Sequence, residues 1–271
     1  MPESAAPKPR GEPQPAPALR RLEAAAETPT VEQLVESLGL WRRPDTPAPR
    51  PRILLNMVST LDGRATLGGR SGTLSGAADR ALFHALRAPV DGVLVGAGTL
   101  RTERYGRIIT EPSVRALRAQ RGLAEEPLAC IVSGRLAIDD GLPLLREPAA
   151  RVVILTASAA SLPPSQATVE YIRAGAGKLD LPGAVGELAE RFAIQTLLCE
   201  GGPHLARQLL AEGLLDELFL SLSPLLAGGE PAGGEALRIL AGTELEAPVE
   251  LELLDVLRSD SYLFLRYGVS A

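Results

Sequence analysis

The chain has 271 residues, 45% of them hydrophobic, with a formal net charge of −5; this suits one large globular domain or two small ones and argues against a nucleic-acid surface or an anionic-membrane binder. Its two cysteines, Cys130 and Cys199, sit in apolar runs, which speaks against a disulfide framework and for buried free thiols in a reducing cytoplasm. No apolar run is long enough to span a bilayer, and the N-terminus has no signal-peptide core.

Residues 1–27 are rich in Pro and Ala, have little to bury, and are expected to form a disordered leader. Thr30 followed by Val31, Leu34, Val35, Leu38 and Trp41 predicts a capped amphipathic helix, an arm that packs on the main domain or on a partner subunit. With the Pro-rich connector that follows it, this arm makes a segment over 28–51, and the main domain is expected over 52–271. Ile53–Val58 predicts a buried strand. The polar run Ser59 to Arg64 then lies at the carboxyl end of that strand, where open α/β sheets bind ligands; Asp62 fits that place or a simple Asp-Gly turn. A flexible loop over 68–73 precedes a helix from Gly76 to Arg87, with Ala78, Leu82, Phe83 and Leu86 at helical spacing. His84 lies on that helix and receives no chemistry.

Val93 to Val95 begins a buried strand. Gly96 and Gly98 allow a sharp turn and a close ligand approach, and Thr99 can cap a helix or hydrogen-bond a phosphate. This reads as a nucleotide-phosphate turn, although many βα turns carry such glycines for turning only. The polar loop Arg101–Arg107 brings three arginines that suit a phosphate ester, or a solvated loop. Pro112–Gln120 predicts a short surface helix and Leu128–Val132 a strand. Ser133 and Arg135 after it could hold a ribose 2′-phosphate, the mark of NADP over NAD, or form an ordinary turn. Strands are predicted at Arg151–Thr156 and Thr168–Ile172, and a helix at Leu181–Phe192.

An apolar strand over 195–199 then ends in Glu200. Gly201 and Gly202 follow, and Pro203 opens a helix that runs to Gly213. Bare backbone N–H groups and a helix N-terminus meet there, an anion site of the kind pyrophosphates use. His204 either touches phosphate or is exposed. Glu200 beside a buried strand costs desolvation unless paired, which favours a role in the ligand crevice. A strand at Leu214–Ser223, a Gly-rich loop at Pro224–Gly234, and two antiparallel strands at Val249–Leu257 and Ser261–Tyr267 close the chain.

Four stretches, in order, carry a resemblance: Ser59-Thr60-Leu61-Asp62-Gly63-Arg64, Leu86-Arg87-Ala88, Val95 to Thr99, and Glu200-Gly201-Gly202-Pro203. From Arg52 onward the chain resembles the riboflavin-biosynthesis pyrimidine reductases, the reductase domain often fused to a deaminase. The resemblance implies an α/β, dihydrofolate-reductase-like fold, with a mixed, mainly parallel sheet, helices on both faces, and a homodimer formed through the far edge of the sheet. It implies NADPH as cofactor, held by Thr73, Gly96, Gly98, Thr99, Glu103, Ser133, Arg135 and the turn Gly201, Gly202, Pro203, His204 and Leu205. It implies a phosphorylated pyrimidine substrate, contacted by Asn56, Ser71, Arg87, Gly106, Arg107 and Glu200. Asp62, Arg64 and Glu200 are the implied catalytic residues near the reacting ribose. In the family's reaction a ribosylamino chain opens to an imine and takes hydride from NADPH at C1′, giving a ribitylamino chain.

Two departures stand out. Thr73 occupies a place where many relatives have Trp. Thr102-Glu103-Arg104-Tyr105 stands where relatives carry Asp-Asn-Pro or Asp-Asp-Pro, as in a stand-alone, actinobacterial-type subgroup. That change leaves open an NADPH-dependent reductase of a pterin such as dihydrofolate, to be separated by substrate competition. A nucleotide-binding module without turnover is a third class, marked by tight NADPH binding with no oxidation. The zinc signature of the fused deaminase, His-x-Glu with Pro-Cys-x-x-Cys, is absent from the sequence, so a reductase without metal is expected.

Overall fold

The computed structural model describes residues 28–43, 48–229 and 236–270. The expected leader and part of the Pro-rich connector lie outside the described residues. A single sheet takes nine strands in the order β5-β4-β3-β2-β6-β1-β7-β9-β8. In chain order these are β1 (Arg52–Thr60), β2 (Gly92–Gly96), β3 (Leu128–Val132), β4 (Arg151–Thr156), β5 (Thr168–Arg173), β6 (Thr196–Cys199), β7 (Glu217–Ser223), β8 (Leu251–Ser259) and β9 (Tyr262–Val269). Strands β1 to β7 pair in parallel, and β9 joins β7 and β8 antiparallel.

The central parallel strands β2, β3 and β6 are almost wholly buried and apolar because both of their faces are covered, whereas the edge strand β5 is mixed. Alternate residues feed two cores. Leu54, Val93, Val95 and Leu198 pack with Val35, Leu82 and Leu86, from α1 (Val31–Ser37) and α2 (Ala77–Leu86). Ile53, Leu55, Leu94, Leu197 and Cys199 pack with Val185, Leu188, Leu205 and Leu209, from α5 (Leu181–Phe192) and α6 (Pro203–Ala211). Helices therefore cover both faces of a mixed, mainly parallel sheet, as expected. Cys130 and Cys199 are buried free thiols. Burial pushes both up, that of Cys199 to about 12. None of the described helices is long and apolar enough to cross a membrane.

Several boundaries differ from expectation for identifiable reasons. The first helix stops at Ser37 rather than Trp41, because Gly39 turns the chain at φ 68°. Thr30 caps it with a capping box to Gln33, and the Trp41 ring lies beyond it, 5.1 Å from the Arg121 guanidinium. Ser59 and Thr60 belong to β1, not to a loop, since they pair with Leu222 and Ser223. The strand expected from Leu214 begins at Glu217. The expected Arg101–Arg107 loop starts as helix: β2 runs straight into α3 (Ala97–Glu103), which ends where Arg104 turns left-handed at φ 51°. Helix α4 (Pro112–Gln120) is a surface helix apart from Arg118, which is fully buried.

Candidate active site

Strands β2, β6 and β1 lie side by side, and their carboxyl ends open into a cleft of about 620 Å³. Asn56 and Met57 of β1, Phe83, His84 and Arg87 at the end of α2, Gly96, Gly98 and Thr99, Glu103 to Arg107, and Glu200 with Gly202 to Leu205 contribute to its wall.

A buried charged cluster forms one part of that wall. Glu200 ends β6 with its side chain only 1% exposed. Arg87 meets it with a bidentate fork, Nε to Oε1 at 2.6 Å and Nη2 to Oε2 at 2.8 Å, and Arg87 Nη1 donates to the Ile108 carbonyl at 2.8 Å. The Tyr105 hydroxyl donates to Glu200 Oε2 at 2.6 Å. This geometry resolves the desolvation problem posed by a carboxylate at the end of a buried strand. Burial alone would lower the Arg87 pKa, but Glu200 outweighs it and the guanidinium is held above its ordinary value. Burial first, then the Glu200 charge, pushes the Tyr105 phenol well up, so Tyr105 remains a protonated donor at neutral pH. The Phe83 ring lies 4.3 Å from the Arg87 guanidinium, a cation–π contact that packs the fork from one side.

A glycine cradle forms the other part. Gly96 N donates to Gly201 O at 2.8 Å, and Glu200 N to Leu94 O at 3.0 Å, so the ends of β2 and β6 are tied together. Gly201 has φ 87°, and a Cβ there would lie 3.1 Å from Met57 Sδ. The Gly201–Gly202 peptide is cis. Gly202 caps α6 with no side-chain hydrogen bond, and Pro203 has no N–H to leave unpaired. The first turn of α6 therefore presents backbone donors and the positive dipole end toward the cleft. A Cβ at Gly202 would lie 2.4 Å from Thr99 Oγ1, whereas one at Gly98 would meet nothing within 4 Å. The fit is to an anionic nucleotide lying against bare backbone.

Ser71 and Glu103 meet at the cleft, where Ser71 N and Oγ both donate to Glu103 Oε1 at 2.9 Å. The implied substrate and cofactor contacts Asn56, Ser71, Arg87, Gly96, Gly98, Thr99, Glu103, Gly106, Arg107, Glu200, Gly202, Pro203, His204 and Leu205 all border this one space. Arg107 is already engaged: Nε donates to Glu126 Oε1 at 2.7 Å, and that bond raises its pKa.

Asp62, Arg64, Thr73, Ser133, Arg135 and Gly201 do not border it. Asp62 accepts from Thr60 Oγ1, from Ala227 N at 3.1 Å and from Gly228 N at 2.6 Å. Those bonds, Thr60 first, hold its carboxyl down at about 2. Arg64 Nη1 donates to Gly228 O at 3.0 Å. Both residues pin the loop after β7. Thr73 Oγ1 donates to Arg70 O at 3.3 Å within its own loop. Ser133 is buried, with its N–H donating to Leu155 O at 3.0 Å, and Arg135 follows in the next turn. Gly201 lies behind its neighbour Gly202, against Met57.

Phe83, a packing position by its helical spacing, His84, and Tyr105, which marks a departure from the relatives, all border the cleft. The spacing of Phe83 and Arg87, one helical turn apart, was the available signal for their stacking. His84 borders the cleft beside Phe83, and burial, then Arg87, lowers its pKa.

The family model described as the RibD C-terminal domain matches residues 51–261. A 2,5-diamino-6-ribosylamino-4(3H)-pyrimidinone 5′-phosphate reductase from Methanothermobacter thermautotrophicus is 27% identical over 188 residues, covering 68% of this chain and 82% of that protein. The protein of the same name from Archaeoglobus fulgidus is 25% identical over 183 residues, covering 66% and 83%. Among solved structures, a pyrimidine reductase-like protein from Corynebacterium diphtheriae matches with a TM-score of 0.71 at 24% identity, over 89% of this chain and 99% of that one. A diaminohydroxyphosphoribosylaminopyrimidine deaminase/5-amino-6-(5-phosphoribosylamino)uracil reductase from Thermotoga maritima matches with a TM-score of 0.63 at 22% identity, over 82% and 57%. The fold is the dihydrofolate-reductase-like one. With its model matched across the entire sheet-forming region up to the β8–β9 turn, the chain belongs to the RibD C-terminal domain family.

Proposed function

We propose that the protein is an NADPH-dependent reductase of riboflavin biosynthesis. Its substrate would be a phosphorylated ribosylaminopyrimidine, of the 5-amino-6-(5-phosphoribosylamino)uracil or 2,5-diamino-6-ribosylaminopyrimidinone type, whose ribosyl chain becomes a ribityl chain. The observation that carries this reading is the pairing, in one cleft, of a bare-backbone anion cradle with a buried Arg87–Glu200–Tyr105 cluster. The names of the curated relatives point the same way.

A reduced nicotinamide nucleotide in the cradle would supply the hydride. The chain's own task is then binding and orientation. The first turn of α6 and the Gly96–Thr99 turn would hold the dinucleotide phosphates, and Glu103 fixes the Ser71 loop at the border of the cleft. Three donors already converge on Glu200, whose side chain is 1% exposed, so it acts by fixing Arg87 and Tyr105 at the cleft wall, and Arg87 keeps further N–H groups for the substrate. Of the arginines after α3, Arg104 borders the cleft without the carboxylate partner that occupies Arg107, and it is the better candidate for the substrate phosphate. Buried free thiols and the lack of a membrane-crossing helix among the described residues favour the cytoplasm.

The test is NADPH oxidation with the phosphoribosylaminopyrimidine, run beside dihydrofolate and beside NADH. Preferential turnover of the pyrimidine with NADPH is the expected result. Turnover of dihydrofolate alone would overturn the substrate assignment, and tight NADPH binding without any oxidation would overturn the activity.

The same reading includes a homodimer. Strand β8 is the outer edge of the sheet and exposes Leu251, Leu253 (50% exposed) and Leu254 at its start, opposite the end of β9. An unpaired apolar edge of this kind is normally covered. A Leu253→Lys/Leu254→Glu protein is expected to elute as a monomer where the wild type is a dimer, by light scattering after gel filtration. A wild-type monomer would contradict the assembly.

A further inference from the structure

Arg118 heads the fully buried side chains by volume, with no solvent exposure, yet it lies on α4, outside the cleft. Among the described residues it has no ion-pair partner within bonding distance. Its guanidinium instead donates to four carbonyls: Nε to Ala124 O at 2.8 Å, and Nη1 to Ala88 O at 2.6 Å, Val90 O at 2.8 Å and Arg87 O at 3.3 Å. A charge taken from water with no carboxylate bonded to it is costly; burial pushes this one down to about 10, although the charges of Asp91 and Glu126 nearby oppose the shift. An apolar side chain would fill the same space without that cost, so the cation answers a need of its surroundings.

The acceptors identify that need. Three of the four carbonyls belong to residues 87, 88 and 90, where α2 ends and the chain passes into β2. Helix α2 ends without a left-handed glycine, since its C-cap is Arg87 itself at φ −70°. The Arg87 carbonyl is one that this helix end leaves without an intrahelical donor, and those of Ala88 and Val90 follow it in the buried chain beyond, so a cation bound to all three faces the negative end of the helix dipole. The residue so held is the one whose side chain forks onto Glu200.

We propose that Arg118 is a positioning residue for the reaction: it caps α2 through the backbone of Arg87 and thereby fixes the Arg87 guanidinium against Glu200 and the substrate. This rests on the assignment of Arg87 as a substrate contact. A lysine keeps the charge but lacks the planar fork needed to bridge Ala124 and the 87–90 turn together.

The test compares wild type, Arg118→Lys and Arg118→Met by steady-state kinetics and by crystal structures. The Lys variant keeps a buried cation and so folds even where the Met variant does not. The expected result is a displaced Arg87–Glu200 fork, with KM for the pyrimidine raised by about tenfold or more, equivalent to the loss of one good contact, and KM for NADPH within about twofold of wild type. A lowered melting temperature with both fork distances retained would overturn the proposal, as would a displaced fork with unchanged pyrimidine KM. If the wild type itself does not turn over the pyrimidine, the functional reading fails instead, and the fork geometry in the variants alone decides the role of Arg118.

Discussion

An Arg87→Met protein is expected to lose about 3–5 kcal/mol of stability, because the substitution strands the Glu200 carboxylate in the interior. For a chain of this size each kcal/mol is worth about 2–4 °C in Tm, so the drop is large enough to read directly by thermal melts. Tyr105 alone cannot replace a bidentate cation, and the carboxylate, 1% exposed, cannot reach water. Pyrimidine turnover is expected to disappear with it. The informative comparison is Arg87→Met/Glu200→Leu/Tyr105→Phe, which removes the charges and also avoids orphaning the phenol. Replacing a buried pair by apolar residues of similar volume is often close to neutral, so this triple variant should recover most of the stability and none of the activity. If it melts as low as the single variant, lost packing rather than stranded charge would account for the loss.

The second large effect is expected at the glycine cradle. Gly201→Ala should weaken NADPH binding by at least about tenfold, a change of one good contact in free-energy terms. Gly201 sits at φ 87°, where an L-residue costs about 1–2 kcal/mol, and its new Cβ would press on Met57 Sδ at 3.1 Å. The backbone must shift to relieve both, and it carries Gly202 and the start of α6 with it. Gly213→Ala is the control. Its φ of 63° carries the same kind of strain, but a Cβ there meets nothing within 4 Å, and it lies beyond the far end of α6. That variant should lose stability and keep its affinity, as measured by fluorescence titration with NADPH. Equal affinity in the Gly201 variant would show that the cradle does not hold the nucleotide.

Regular elements were legible where periodicity and end signals agreed. Helix α5 matches its predicted span at both ends: its apolar face repeats at helical spacing, Asp180 caps it, and a proline lies in its first turn. Strand β1 was cut short because Ser59 and Thr60 look like loop residues, and only their pairing with β7 makes them strand. Arg118 was unreadable for the opposite reason, since a polar residue on a mostly polar helix looks exposed until its four carbonyl partners are in place. The need of Glu200 for a partner was visible in the sequence, but not that its partner lies 113 positions earlier. The hydrogen bonds that Asp62 takes from Ala227 and Gly228 were likewise unreadable, since they join segments far apart in the chain.

The bond from Gly96 N to Gly201 O has a consequence for anyone who would re-engineer this protein. It makes two turns that are distant in sequence behave as one rigid part. Loop grafting that imports a foreign Gly96–Thr99 turn would tilt α6, and a graft at Gly201–Leu205 would displace α3. Changing the preferred nucleotide therefore means transplanting both turns together, with Met57 kept against Gly201.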